Sequence, residues 1–534
     1  MANRYWVSGG TGNWNSTSNW STTSGGVSGA SVPSTADAAL FNASSGSGTA
    51  TLDISPTVQT LTMTGFTGTL AYGTNTISLN STGTIFTGAT TMSVTGTPLI
   101  ICTNATATAR TITPTAVTEA NSISFRITAG TGSLTLTAGS YRTLDFTDGT
   151  NPTGYAGAVN SSSITIYGDF KASTGMTRVA GTGTYTFSAT SGTQKITCAN
   201  VTFDCPFTFN GVGGTFQLQD NFISGATRTA TLTNGTLDLT GNSGNWTLTT
   251  GFFSSSNSNT RSIVYGTGNI TLTGNAGTIW SSSTATNFTS TGTPTVNCTY
   301  SGSTGTRTIT TSTAFTEANA PSFNISAGSD IVDFGTSARR VGSVNFTGFS
   351  GTLLNYYVVQ YKNLTFSSNI TLTDSSNSTS FLGTGTQTIT SNGKTILFPL
   401  SIAAGSEAGT RVFADALTLA ANKTLTMRGT VKFTAGTTNT ASIFYLQGTS
   451  TNQLNIQSTV PGTQYTLSQS SGIVDALYST IKDSKATGGA TFNAFYANGN
   501  IDAGNNTNWD FGGTPSYDAE YGYKLRSFTE HGRF

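Results

Sequence analysis

The sequence predicts an all-β chain wound as a parallel β-solenoid (β-helix) from a tandem duplication, with an aromatic N-terminal cap and a short C-terminal tail. Three observations predict it. Thr and Ser alternate with Leu, Ile, Val and Phe in short runs such as LTMTG, NTISLN, GTIFTG and TMSVTG. Alternation over about four to eight residues is the mark of a half-buried strand, and the branched Cβ of Thr suits the pleat. The 63 glycines punctuate these runs, with turn signals about every ten residues. Finally, one long block occurs twice.

The block is centred on GTPLIICTNATATARTITPTAVTEANSISFRITAG and GTPTVNCTYSGSTGTRTITTSTAFTEANAPSFNISAG. Cys102 matches Cys298, Arg110 matches Arg307, Glu119 matches Glu317 and Phe125 matches Phe323, at separations of 196, 197, 198 and 198 residues. Outside the centre, AYGTNTISL matches VYGTGNITL, GTQKIT matches GTQTIT, and Asp220 matches Asp415. A repeat this long, built of many similar short strands without the long connections of Greek keys, favours stacked rungs over tandem sandwiches. At ~20 to 25 residues and ~4.8 Å per rung, residues 55–511 predict about 20 rungs and a length on the order of 100 Å. The expected modules are 1–54 (Trp-rich cap or attachment module), 55–253 (first copy), 254–445 (second copy), 446–511 (closing rungs) and 512–534 (docking tail).

Only 8% of the residues are charged, 35% are hydrophobic, and net charge is +1. Nucleic acid is not an expected partner, because phosphate binding needs a basic face. No run of 18 apolar residues occurs, so no membrane insertion is expected, and MANRYWVSGG lacks the apolar stretch of a secretory leader. No helix of ordinary length is predicted; ANAPSF and the stretch from Ser471 to Lys482 are read as single turns. The four cysteines read as buried free thiols, since the repeat-equivalent Cys102 and Cys298 sit at apolar positions and Cys198 and Cys205 lack metal-ligand spacing.

In the first module, Trp6, Trp14 and Trp20 fall within fifteen residues. Three Trp on one face would stack on sugars, and they are candidate binding residues for that reason. Shielding the end of the solenoid core is the favoured role, because a terminal rung must cover what the next rung would have covered.

The segment RYWV-GG-GNW-NW-STTSGG, followed by VP, AD and Phe41, resembles an N-terminal motif of many tailed-phage structural proteins and some bacterial surface proteins. IVDALYSTIKDSKATGGATFNAFYANGNIDAGNNTNWDF is similar to the closing rungs of the same group, with its GNNT-W-F signature. The resemblance covers about 90 residues at the two ends and carries architecture more firmly than role. It implies a virion location, synthesis in the host cytoplasm, other virion proteins as partners and a homo-oligomer, a trimer being usual for phage fibres. After Phe511, Tyr521, Tyr523, Arg526 and Phe528 are interface-type residues and read as a docking tail.

Catalytic chemistry has few candidates. The single histidine, His531, removes His-based nucleophile activation and an ordinary His metal site. No cofactor or metal is expected, and the turn from Asp502 to Asn506 is read as metal-free. A polysaccharide-cleaving spike would need two carboxylates at ~5 to 9.5 Å, for which Asp145 with Asp148 and Asp330 with Asp333 are the candidates. Acids in such turns usually accept from their own backbone, so a structural role is favoured. Glu119 with Arg110, recurring as Glu317 with Arg307, suggests an Arg–Glu contact fixing a turn. Tyr356, Tyr357 and Tyr361 form the densest aromatic cluster away from the ends and are further candidates for binding a host surface glycan.

The expected function is that of a non-enzymatic structural component of a tailed-phage virion, a fibre or appendage contacting the host surface. The alternatives are a capsid decoration protein, a polysaccharide depolymerase tailspike and a bacterial surface adhesin.

Overall fold

The computed structural model describes residues 1–150, 152–405 and 407–512. The described chain is all-β, broken only by 3-10 turns such as Thr17–Asn19 and Glu119–Asn121. It is a parallel β-solenoid, as the alternation predicted, with about 19 turns in its two compact units together. The units are Met1–Ser322 and Phe323–Phe534.

In the first unit, strands stack in register one turn apart. Ala39 lies beside Leu61, Leu61 beside Phe86, Phe86 beside Ile112 and Ile112 beside Leu136, so successive rungs are 22, 25, 26 and 24 residues apart. A second ladder runs Gly12–Asn13, Thr49–Thr51, Thr69–Ala71, Ser93–Thr95. A third begins at Thr57–Val58 and climbs through Ile77–Leu79, Leu99–Cys102 and Ile123–Ile127. Alternation does the rest: in Thr60–Thr62 the Leu61 side chain is buried between two half-exposed threonines, and the same inward-apolar pattern repeats up the stack. Stacking like on like also satisfies the backbone of every interior strand, since each pairs with the turn below and the turn above.

The second unit follows the same rule. Thr386–Thr390, Thr410–Phe413, Thr430–Phe433 and Leu454–Ser458 form one continuous ladder. Its core contains a column in which Phe433 stacks on Phe413 (centroids 5.0 Å, 10°) and on Tyr465 (4.9 Å, 24°). The parallel ladder forces the Phe413–Phe433 alignment, because side chains at equal register lie one strand spacing apart, whereas Tyr465 reaches the column from a different sheet. The stretch from Ser471 to Lys482 corrects the expectation of a helical turn: it holds the strands Ile473–Leu477 and Ser479–Ile481. Its alternation decides, with Val474 and Ala476 inside and Ile473 and Asp475 outside.

Ladders do not run unbroken. In the first unit, one ladder ends at Thr177–Arg178, and the next strand on that side, Thr202–Phe203, begins a separate sheet. The second unit repeats the break between Thr371–Leu372 and Thr395–Ile396.

Candidate functional sites

The residues that carry the N-terminal resemblance lie far apart in sequence and meet in space. Ala2–Trp6 pairs in parallel with Asp37–Leu40 and antiparallel with Trp20–Ser21, so that Trp6 faces Trp20. Trp6 stacks on Phe41 (5.6 Å, 22°), Trp14 meets Trp20 edge-on (4.9 Å), and Phe41 passes the contact on to Phe66 (5.1 Å). The Trp20 indole donates to the Trp14 carbonyl at 2.8 Å. Asp37 accepts from the Ser34 amide and hydroxyl at 2.9 and 2.7 Å and lies 3.8 Å from the Arg4 guanidinium. Trp6, Trp14 and Trp20 are 1%, 0% and 0% exposed. This corrects the candidate sugar-stacking role: none of the three offers a ring face to a ligand.

The C-terminal signature makes a comparable clamp. Asn506 donates to the Ile481 carbonyl and the Asp502 carboxylate, both at 2.7 Å, and accepts from the Ser484 amide at 3.0 Å. Asn505 donates to Asp483 at 2.8 Å, and the Trp509 indole donates to the Ser484 hydroxyl at 3.1 Å while its ring meets Phe492 at 5.1 Å. Asp502 also takes the Gly504 amide at 2.9 Å, so this turn spends its oxygens on protein donors. Among the described residues no three His, Cys, Asp or Glu cluster as a metal site would require.

Asp145, Asp148 and Asp333 accept from the amides of their own turns. Asp145, buried at 3% exposure, accepts from the Thr147 amide and hydroxyl (3.0 and 2.6 Å) and pairs with Arg126 at 3.0 Å. Asp148 accepts from the Thr150 amide and hydroxyl at 2.9 and 3.1 Å. The same Asx-x-Thr closure recurs at Asn104 with Thr106, Asp238 with Thr240, and Asn345 with Thr347. An Asp two residues before a Thr is therefore a turn-closing unit of this chain, for the reason that Asx side chains reach the amide two residues on. Asp333 accepts from the Gly335 amide (2.7 Å) and the Asn355 side chain (3.1 Å), and Asp330 is buried at 2% exposure.

The expected Arg110–Glu119 contact is also corrected. Arg110 is buried, donates to the Asn104 and Ala129 carbonyls at 3.0 and 2.8 Å, and lies over the Tyr155 ring at 5.3 Å. Glu119 instead accepts from the Thr190 hydroxyl at 2.8 Å. Arg307 lies over the Tyr300 ring at 5.6 Å. The Arg110 guanidinium caps carbonyls of its own and the next turn, a use for which five fixed donors are suited.

Tyr356 and Tyr361 point into the core at 2% and 5% exposure, which corrects their candidate binding role. Tyr356 donates to Gln360 at 3.1 Å and packs against Phe334, Phe346, Phe366 and Phe398; burial raises its phenol well above the ordinary value. Tyr357 is half-buried. All four cysteines are free and buried, and burial pushes the Cys102 and Cys205 thiols up to about 12. Tyr521, Tyr523, Arg526 and Phe528 lie outside the described residues.

No known family, curated protein or solved structure matches this chain. Within the described residues, no helix is long and apolar enough to cross a membrane.

One feature has no counterpart in the candidates read from sequence. An open groove of about 560 Å³ lies at the ladder break of the first unit, lined by Thr174, Met176, Thr177 and Arg178 on one side and Ala199, Asn200, Val201 and Thr202 on the other. Its sequence signal is divergence between the copies: CANV in the first stands where the second has SNGK.

Proposed function

We propose that this chain is a non-enzymatic structural component of a tailed-phage virion, a β-solenoid fibre or appendage that projects from the particle and contacts the host surface. The observation that carries the reading is the convergence of Trp6, Trp14, Trp20 and Phe41 into a single buried cluster, with the Arg4–Asp37 ion pair joining two of the strands that hold it, all residues of the phage-like N-terminal motif. Motif residues that meet in this way are tied to a terminal architecture, and that architecture is what the resemblance implies. The turn-bound state of Asp145 and Asp148 supports a non-enzymatic reading. Host contact would then work through many weak contacts multiplied by copy number, in a homo-oligomer that we propose is a trimer.

Immunogold electron microscopy of intact particles, with antibody against the solenoid body, tests this. Label at the tail is expected. Label spread over the head would replace the fibre with a decoration protein, and unlabelled particles would remove the virion assignment. Light scattering of the purified chain checks the trimer.

A further inference from the structure

The groove at the ladder break of the first unit is lined by residues that differ from those at the equivalent positions of the second copy. On one wall Thr177–Arg178 ends its sheet, and on the other Thr202–Phe203 starts a new one, with no strand pairing between them. Beyond the groove the rungs are tied again where the Gly181 amide donates to the Asp204 carbonyl at 3.0 Å, and then by pairing of Tyr185–Phe187 with Phe207–Phe209. The rim is polar and exposed: Thr174, Thr177, Asn200 and Thr202. The floor is apolar, formed by the buried Met176 and Val201.

Arg178 also lines the groove. Arg178 is 7% exposed, lies over the Tyr185 ring at 5.4 Å, and donates through Nη1 to the Val159 and Val179 carbonyls and through Nη2 to the Ser161 hydroxyl (3.0 Å). Its Nε is buried without a hydrogen-bond partner, an arrangement that costs free energy. The nearby Asp204 is paired with Arg228 at 2.6 Å, and Asp220 is occupied by the Cys198 and Ala199 amides. No carboxylate lines the groove. At the corresponding break of the second copy, the buried position is Leu372.

The groove wall also holds strain. Ala199 sits at φ 52° and Asn200 at φ 61°. The second copy fills the equivalent positions with Asn392 (φ 48°) and Gly393 (φ 75°), residues that tolerate the left-handed region. A left-handed alanine stands where the groove opens, and strain of this kind gathers at ligand sites.

We propose that this groove is a binding site for a short saccharide. Hydroxyl and amide groups around an apolar floor match a sugar ring, which offers vicinal hydroxyls at its edge and C–H groups on its face, and the cation favours a sugar bearing a carboxylate. The inference rests on the host-attachment reading and names the ligand class for it.

The test uses the full chain on an array of neutral and acidic oligosaccharides, comparing wild type with T202W, which fills the groove from its exposed rim, and R178L, which installs the side chain of the second copy. Retention of acidic oligosaccharides by wild type, weakened at least about tenfold in T202W at unchanged thermal midpoint, is expected. Selective loss of the acidic ligands in R178L would assign the guanidinium to the carboxylate. An array that retains nothing, or retention equal in wild type and T202W, overturns the proposal. Cell adhesion measured alongside separates the two readings: adhesion that survives T202W removes the groove and leaves host attachment standing, whereas particles without gold label remove attachment whatever the array shows.

Discussion

The Asp220 carboxylate accepts the backbone amide of Ala199 at 2.6 Å, together with that of Cys198 at 2.7 Å. In the other copy, Asp415 accepts the amides of Ser391 and Asn392 in the same way. One rung reaches back to pin the turn of the rung before it, and the duplication has kept the pin while changing the turn.

Removing the pin strands two amides. D220A is expected to destabilise the chain by about 1–3 kcal/mol, the cost of leaving buried donors unmet. Ala199 offers the opposite change, because a left-handed alanine costs roughly 1–2 kcal/mol that Gly or Asn avoids. A199G and A199N should therefore raise the denaturant midpoint while D220A lowers it, with chemical unfolding followed by circular dichroism as the measurement.

Trp20 contacts Trp6, Trp14 and Phe41 at once. W20A should cost about 3–5 kcal/mol, as truncation of a buried aromatic does. Because this cluster sits at the chain's first rungs, the loss should be local: limited proteolysis is expected to release N-terminal fragments from W20A before any cut appears in the second unit.

Asp204 titrates with a definite sign. The Arg228 guanidinium, hydrogen-bonded at 2.6 Å, holds its carboxyl below the ordinary value of 3.8. A depressed folded pKa contributes stability above the unfolded value and loses it as pH falls through the folded one. The difference in thermal midpoint between wild type and D204N should be present at neutral pH and shrink as the solution is acidified below 3.8. A difference that stays constant on acidification would show that the pair contributes nothing through charge.

The cysteines provide a simple probe of core integrity. Burial raises all the thiols for which a shift is found, Cys102, Cys198 and Cys205, away from the reactive thiolate form. Iodoacetamide at pH 8 should label none of the four cysteines in the folded chain and all of them in denaturant; rapid labelling of the native chain would contradict their placement.

Asn506 links three elements through its side chain, reaching Ile481, Ser484 and Asp502. N506A should cost about 1–3 kcal/mol and speed hydrogen exchange at Ser484, the amide that loses its acceptor.

Much of the fold was legible in short windows. The Thr alternation announced strands because inside and outside residues differ along every rung, and the duplication announced equivalent positions such as Asp220 and Asp415. Asp145 and Asp148 were readable as turn-formers from the turn they sit in, where acids accept from their own backbone. Other relationships were not readable. Arg110 meets Tyr155 rather than Glu119, and Thr190, 71 residues away in sequence, is what meets Glu119. Trp6, Trp14 and Trp20 looked equally fit for a sugar or for a core.

Sequence alone determined that the chain is a stack of short strands, that their apolar residues alternate inward, and where the chain repeats, because these follow from local chemistry and a period of two. Only the tertiary structure decided which rung residue stands above which, that the sheets break beside Arg178 and Thr202, and that the tryptophans are closed to solvent. The physical reason is that the turns vary from 18 to 30 residues in length and each change of length resets the lateral register. Which side chains meet is set by the summed lengths of the intervening loops and the hydrogen-bonded ladders that align them.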